Sequence, residues 1–182
     1  MLDFDAQTKR TILSSIASNF DLFGFNLPIL NRARLFMHKL QCTKSINWDS
    51  VLEDKLLHEW KLIVRQVNSS QPLEISRSVG LKNSKYDIIC CVDASKDIYG
   101  CVVYFKEIEV DNLNLIITKN RIVSKKLEKK SIWTLELLSI ELGVELIINL
   151  YEELGGQNCL IPVNFNEIYL YSDSAVALSW IQ

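Results

Sequence analysis

No stretch of the 182 residues is apolar for long enough to cross a bilayer. The N-terminus, MLDFDAQTKR, carries acids where a secretory leader would carry basic residues. Both absences predict a soluble intracellular protein, cytoplasmic or nuclear, with no membrane partner. Charge of one sign is scarce as well: 20 Lys and Arg against 22 Asp and Glu leave a formal net charge of −2. That excludes a uniformly basic protein that coats nucleic acid, so any polyanion has to be met by a local patch. The five cysteines form no CxxC pair, and neither His38 nor His58 has two further ligands at helical spacing. A zinc site needs three or four converging groups. The histidines therefore read as surface or partly packed residues, and the thiols as reduced and buried.

What the chain does have is apolar character, at 48% of its residues. That suffices for one sizeable domain, or for a small domain with a helical segment attached. Ile12, Leu13, Ile16, Ala17 and Phe20 recur at helical steps and predict a first helix over 8–20. Gly24 and Pro28 in FDLFGFNLP break it, and ILNRARLFMHKLQ resumes the period, which makes a helical hairpin. A third helix follows, with Asp49 or Ser50 as its cap and Leu52, Leu56, Leu57, Trp60, Ile63 and Val64 on its apolar face. The polar NSSQPLEISRSVG then reads as a connector. The expected organisation is a helical segment over 1–67, a linker over 68–85 and a second domain over 86–182.

The period changes after the linker. YDIICCVDAS, YGCVVYFKEIEV and LNLIITKNRIV are β-branched or aromatic runs separated by turn residues, so they predict successive antiparallel strands. SIWTLELLSIELGVELIINLYEEL is a long helix with Ser131 as a cap. EIYLYS is a fourth strand, near 167–172, that turns at Asp173 into a final helix. The class is α+β, and the order from residue 86 is β, β, β, α, β, α.

Three acids stand out against this pattern: Asp93 inside the first strand, Glu136 early in the long helix, and Asp173 at the end of the fourth strand. Each has an ordinary reading. Asp93 could form the turn before ASKD, Glu136 could be a surface acid favoured in a first helical turn, and Asp173 could cap the last helix. If the fourth strand lies parallel beside the first, however, the three carboxylates converge. Like charges packed together raise each other's proton affinity, an arrangement that divalent cations relieve. Oxygen-only ligands suit Mg²⁺ or Mn²⁺, and two such ions about 4 Å apart can drive phosphodiester cleavage. A second candidate feature, KNRIVSKKLEKK, carries Lys119, Arg121, Lys125, Lys126, Lys129 and Lys130 just before Glu136. It reads either as a phosphate-tracking patch or as a solvated loop.

These blocks resemble the ribonuclease H-like region of Bel/Pao-type retrotransposon polyproteins. YDIICCVDASKDIYGCVVYF is similar to that family's first two strands, NRIVSKKLEKKSIWTLELLSIELGVEL to its SRVAPLKKLSIPRLEL segment, and IYLYSDSAVALSWIQ to its TDSTIVLSWI segment. TKRTILSSIASNFDLFGFNLPILNRARLFMHKLQ resembles the connector that follows the polymerase in the same polyproteins. The resemblance implies an incomplete ribonuclease H-like fold behind a helical connector. It also implies that Asp93, Glu136 and Asp173 bind Mg²⁺ or Mn²⁺ to hydrolyse the RNA strand of an RNA–DNA hybrid, with reverse transcriptase and integrase domains as partners. The sequence departs from the family in reading IWTLE where the family has IPRLE, so Trp133 and Thr134 replace a Pro-Arg pair. It stops at Gln182, ahead of the family's fourth acid, and has no YxDD motif. The expectation for the chain alone is therefore little or no turnover, and the alternative reading is a non-catalytic relic or nucleic-acid interaction module.

Overall fold

A computed structural model describes residues 1–71, 74–75, 84–110, 112–155 and 162–181. The chain forms two compact units, Met1–Leu73 and Glu74–Gln182. Of the expected linker, residues 72–73 and 76–83 lie outside the described residues, as do Asp111 of the turn before the third strand, Gly156 and Cys159.

The first unit holds helices α1 (Lys9–Ala17), α2 (Leu27–Cys42) and α3 (Asp54–Asn68). Thr8 and Thr11 cap α1 reciprocally, each side chain accepting the other's backbone N–H. This helix stops three residues short of the predicted end. The side chains of Ser18 and Asn19 both donate to the Ser15 carbonyl, a local competitor for the helical ladder. Phe20 consequently leaves the helix face and is 84% exposed. Pro28 falls within the first turn of α2 rather than before it, where its missing N–H costs nothing. Gly24, at φ 75°, takes the left-handed conformation that the preceding turn needs. The cap expected for α3 is corrected too. Asp49 is drawn off by a two-pronged ion pair with Arg10, at 2.6 and 2.9 Å, and Ser50 donates to the Asn47 carbonyl. The helix starts at Asp54 behind Glu53, and Leu52 is buried ahead of it. Trp60, Ile12, Leu40 and Ala33 are fully buried at the centre of this unit.

The second unit is a four-stranded sheet with one long helix across it. Strands β1 (Lys85–Ala94), β2 (Ile98–Glu107) and β3 (Asn112–Ile122) are successive and antiparallel, and β4 (Asn164–Ser172) pairs parallel with β1. The order across the sheet is β3-β2-β1-β4, which meets the condition under which the three carboxylates converge. Alternation in β1 sends Tyr86, Ile88, Cys90 and Val92 to one face, and β2 adds Tyr99, Cys101, Val103 and Phe105 to the same face. Helix α4 (Ile132–Gly155) covers this face with Leu135, Leu142, Leu146 and Ile147. Each fully buried aliphatic side chain of this set contributes about 1.5–3 kcal/mol. Helix α5 (Ala175–Ile181) follows β4. The cysteines of the sheet divide by strand parity: Cys90 and Cys101 are buried, while Cys91 points to the opposite face and is exposed; Cys42 is half-buried, against the expectation of uniformly buried thiols. His38 is half-buried and His58 exposed.

Helix α4 approaches β1 closely at Gly143, where an added Cβ would stand 2.8 Å from Val92 Cγ1 and 3.0 Å from Cys90 Sγ. Gly143→Ala is therefore expected to destabilise the unit by about 1–3 kcal/mol through overpacking, outweighing the gain of about 1 kcal/mol in helix propensity. Urea denaturation checks the sign. A more stable variant would show that the helix can ride outward at no cost.

Candidate metal centre

The site is assembled at one edge of the sheet from the ends of two strands and the start of α4. The parallel register sets Val92 beside Ser172, so Asp93 and Asp173 leave neighbouring strand ends side by side. Ser131 fixes the start of α4: its hydroxyl accepts the Thr134 N–H at 3.3 Å and lies 3.1 Å from the Thr134 hydroxyl. That cap aims Glu136, on the sheet-facing side of the helix, back toward the same edge. One carboxylate oxygen from each of Asp93, Glu136 and Asp173 lies within 4.8 Å of the other two.

The three acids differ in environment. Asp93 and Asp173 are exposed, whereas Glu136 is only 6% exposed. Glu136 Oε2 is buried and has no hydrogen-bond partner, a costly state for a carboxyl oxygen. Burial, with the nearby charges of Asp93 and then Asp173, pushes the Glu136 carboxyl above the usual carboxylate range, and the Ala94 backbone N–H opposes this in part.

The ordinary roles open to these acids are filled by other residues. Ser95 builds the β1–β2 turn, its hydroxyl oxygen accepting the N–H groups of Asp97 and Ile98 while its own N–H donates to the Ile98 carbonyl at 2.7 Å. Ser174, not Asp173, caps α5, its hydroxyl accepting the Ala177 N–H. Glu136 is buried rather than being a solvated first-turn acid. Asp93 does accept the Ala94 N–H at 2.7 Å, which holds its carboxylate at the strand end.

A family model described as the Pao retrotransposon-like RNaseH-like domain matches residues 8–174. The chain belongs to that family. No curated protein matches this Pao domain. Its fold is similar to that of foamy viral protease-reverse transcriptase dRH in complex with double-stranded DNA, at a TM-score of 0.52 and 14% identity, over 97% of this chain and 27% of that one. The foamy viral protease-reverse transcriptase in complex with double-stranded DNA gives 0.53 and 14%, over 97% and 32%. The same protein in complex with an RNA/DNA hybrid gives 0.50 and 13%, over 91% and 20%. The Pao domain thus spans a third or less of the chains it resembles, and at these identities the likeness is one of fold.

The donor set of the Pao domain fits a hard divalent cation. It offers only carboxylate oxygens, and the unpartnered Glu136 Oε2 among them is an acceptor that a cation would satisfy. The basic run is split by the fold. Lys125, Lys126, Lys129 and Lys130 are exposed on the segment between β3 and α4, which Val123 anchors by burial and Leu127 by packing on the core. Lys119 stands opposite the buried Cys101 in the β2–β3 register, on the α4 side of the sheet. Arg121 pairs with Glu145 of α4 at 3.7 Å. The sequence reading missed this division because the six cations are continuous along the chain and separate only when strand parity is known. Among the described residues, no helix is long and apolar enough to cross a membrane.

The raised Glu136 carboxyl predicts a pH signature for the cation-free protein. From the ordinary glutamate value of 4.5 up to the raised one, the folded state binds more protons than the unfolded state, so stability falls as pH rises through that window. A cation that binds the charged form offsets the loss. The stabilisation given by Mg²⁺ should therefore be larger near pH 8 than near pH 5, and Glu136→Gln should flatten both effects. Thermal melts with and without Mg²⁺ at the two pH values measure this, and an equal Mg²⁺ increment at both would contradict it.

Proposed function

We propose that this Pao domain carries a ribonuclease H-type nuclease centre that hydrolyses the RNA strand of RNA–DNA hybrids. We further propose that it works inside the cell as part of a longer polyprotein beside a reverse transcriptase, with residues 1–67 as a helical connector domain, 68–85 as a linker and 86–182 as the nuclease domain. The observation that carries the reading is the convergence of the buried Glu136 carboxyl, whose Oε2 has no hydrogen-bond partner, with two exposed carboxylates within 4.8 Å. Asp93, Glu136 and Asp173 would hold Mg²⁺ or Mn²⁺, with Asp93 expected to serve two ions. Such ions, when bound, supply an activated water and stabilise the leaving oxygen of a phosphodiester.

The chain's own residues do the rest. Asp93 and Asp173 stand at the open lip, where a scissile phosphate can reach them, and Glu136 holds the floor of the site away from water. Lys125, Lys126, Lys129 and Lys130 offer four exposed cations to the sugar–phosphate backbone on the approach to α4. Recognition of a hybrid rests on its minor-groove shape and 2′-hydroxyls. The test is a cleavage assay in Mg²⁺ and in Mn²⁺ with either the RNA or the DNA strand of a hybrid labelled. Products are expected from the RNA strand alone, and cutting of both strands, or of neither in any longer form of the polyprotein, would refute the reading.

A further inference from the structure

We infer that Trp133 is a positioning residue for the nucleic-acid strand, its indole packing against the sugar or base next to the phosphate held at the acidic cluster; this rests on the nuclease reading above. Trp133 lies in the first turn of α4 and is 43% exposed. It precedes Glu136 by three residues, and side chains at that spacing on a helix have Cβ atoms about 5–6 Å apart. Glu136 turns inward to the cluster while Trp133 stays at the surface, so the indole occupies the rim of the same site.

The turn that carries it is capped. The side chains of Ser131 and Thr134 meet at 3.1 Å on either side of Trp133 in sequence, so the turn that carries it is tied at both ends. Just ahead of this turn stand the exposed lysines Lys125, Lys126, Lys129 and Lys130. A strand tracked by those cations toward Asp93 and Asp173 passes the N-terminal end of α4. A helical side chain covers the turn N-terminal to its own Cα, which is where that strand would cross. Flat aromatic rings are the side chains that pack best on nucleotides, and an exposed Trp is among the strongest of them. A cationic or acidic residue at this rim would act on the phosphate charge instead. The indole acts on the apolar faces of sugar and base, and so supplies register together with affinity.

The experiment is a fluorescence-anisotropy titration of a labelled RNA–DNA hybrid with the full chain in EDTA, where no cleavage occurs. Wild type is set beside Trp133→Ala, Trp133→Phe and Asp93→Asn. Trp133→Ala is expected to weaken binding about tenfold, within the range found for losing one stacked contact, and Trp133→Phe to recover most of it. Quenching of tryptophan emission on binding should be reduced in Trp133→Ala, a change that a merely structural role for the residue would not give. Circular dichroism should show Trp133→Ala folded, because the ring is a surface group. Affinity of Trp133→Ala within twofold of wild type with the quench retained would overturn the inference, as would a wild-type chain that does not bind the hybrid. Because binding in EDTA does not depend on turnover, the two readings fail separately. Weakened binding by Trp133→Ala in a protein that never cleaves would retain the contact and remove the nuclease, whereas cleavage lost in Asp93→Asn and untouched in Trp133→Ala would do the reverse.

Discussion

Asp93→Asn is expected to abolish cleavage of the RNA strand in whatever form of the Pao domain cleaves it, while making the cation-free protein slightly more stable. The substitution keeps the shape of the side chain and the acceptor for the Ala94 N–H seen at 2.7 Å, and removes one negative charge from a cluster whose oxygens lie within 4.8 Å. Cation binding to carboxylates contributes several kcal/mol to charge stabilisation in a transition state, so its loss lowers the rate by about a thousandfold or more. In the absence of a cation the same change relieves repulsion on Glu136, whose carboxyl is held high partly by Asp93, and the melting temperature should rise. The stabilisation given by added Mg²⁺ should vanish in parallel. Opposite signs in activity and apo stability distinguish a cation ligand from a structural acid, for which both would fall. Unchanged cleavage in Asp93→Asn would dismiss the assignment.

Trp60→Ala is expected to give the largest loss of stability in the first, helical unit. Trp60 is fully buried, its ring centroid lies 5.8 Å from that of Phe36, and its indole N–H donates to the Asp3 carbonyl at 3.0 Å. Truncating a buried aromatic costs about 3–5 kcal/mol in cavity and transfer terms, and the orphaned Asp3 carbonyl adds to this. A unit of this size has a stability on the order of 5 kcal/mol, so most of it is spent. The N-terminal segment should be released with it, because Leu2 is held at 2.9 Å by both groups of the Asn68 side chain from the same helix. Among the described residues, the core around Trp60 shares none with the core under α4. In a urea titration followed by far-UV circular dichroism, the helical transition should shift to low denaturant while the transition of the sheet unit stays in place. Trp60→Phe, which keeps a ring against Phe36, should lose clearly less. A single shifted transition covering both units would argue against two separately folding domains.

The acids of the site were legible one at a time, each with an ordinary rival reading. What removed the rivals were neighbouring serines. Ser95 and Ser174 take the turn and the cap that Asp93 and Asp173 might have served, and nothing in the order of residues says which of two adjacent polar groups a backbone N–H will choose. The cap of α3 was misread for the same reason: Asp49 is a good capping residue, but Arg10, far away in the chain, claims it. The basic run is another case, since Arg121 is spoken for by Glu145 only because β3 and α4 are neighbours in space.

The period of two in β1 and β2, the helical period of α4 and the charged Asp93 amid apolar neighbours are local quantities. The sequence by itself therefore determined the α+β class, the order of strands and helices along the chain and the presence of an acid where a core residue would be expected. Burial and convergence are not local. Glu136 is buried and Trp133, three residues earlier, is exposed, although both stand in the first turns of one amphipathic helix. Only the parallel pairing of β4 with β1 and the close seat of Gly143 on Val92 decide the difference. Those contacts join segments far apart in the chain, and their free energy comes from close packing that no short window of residues contains.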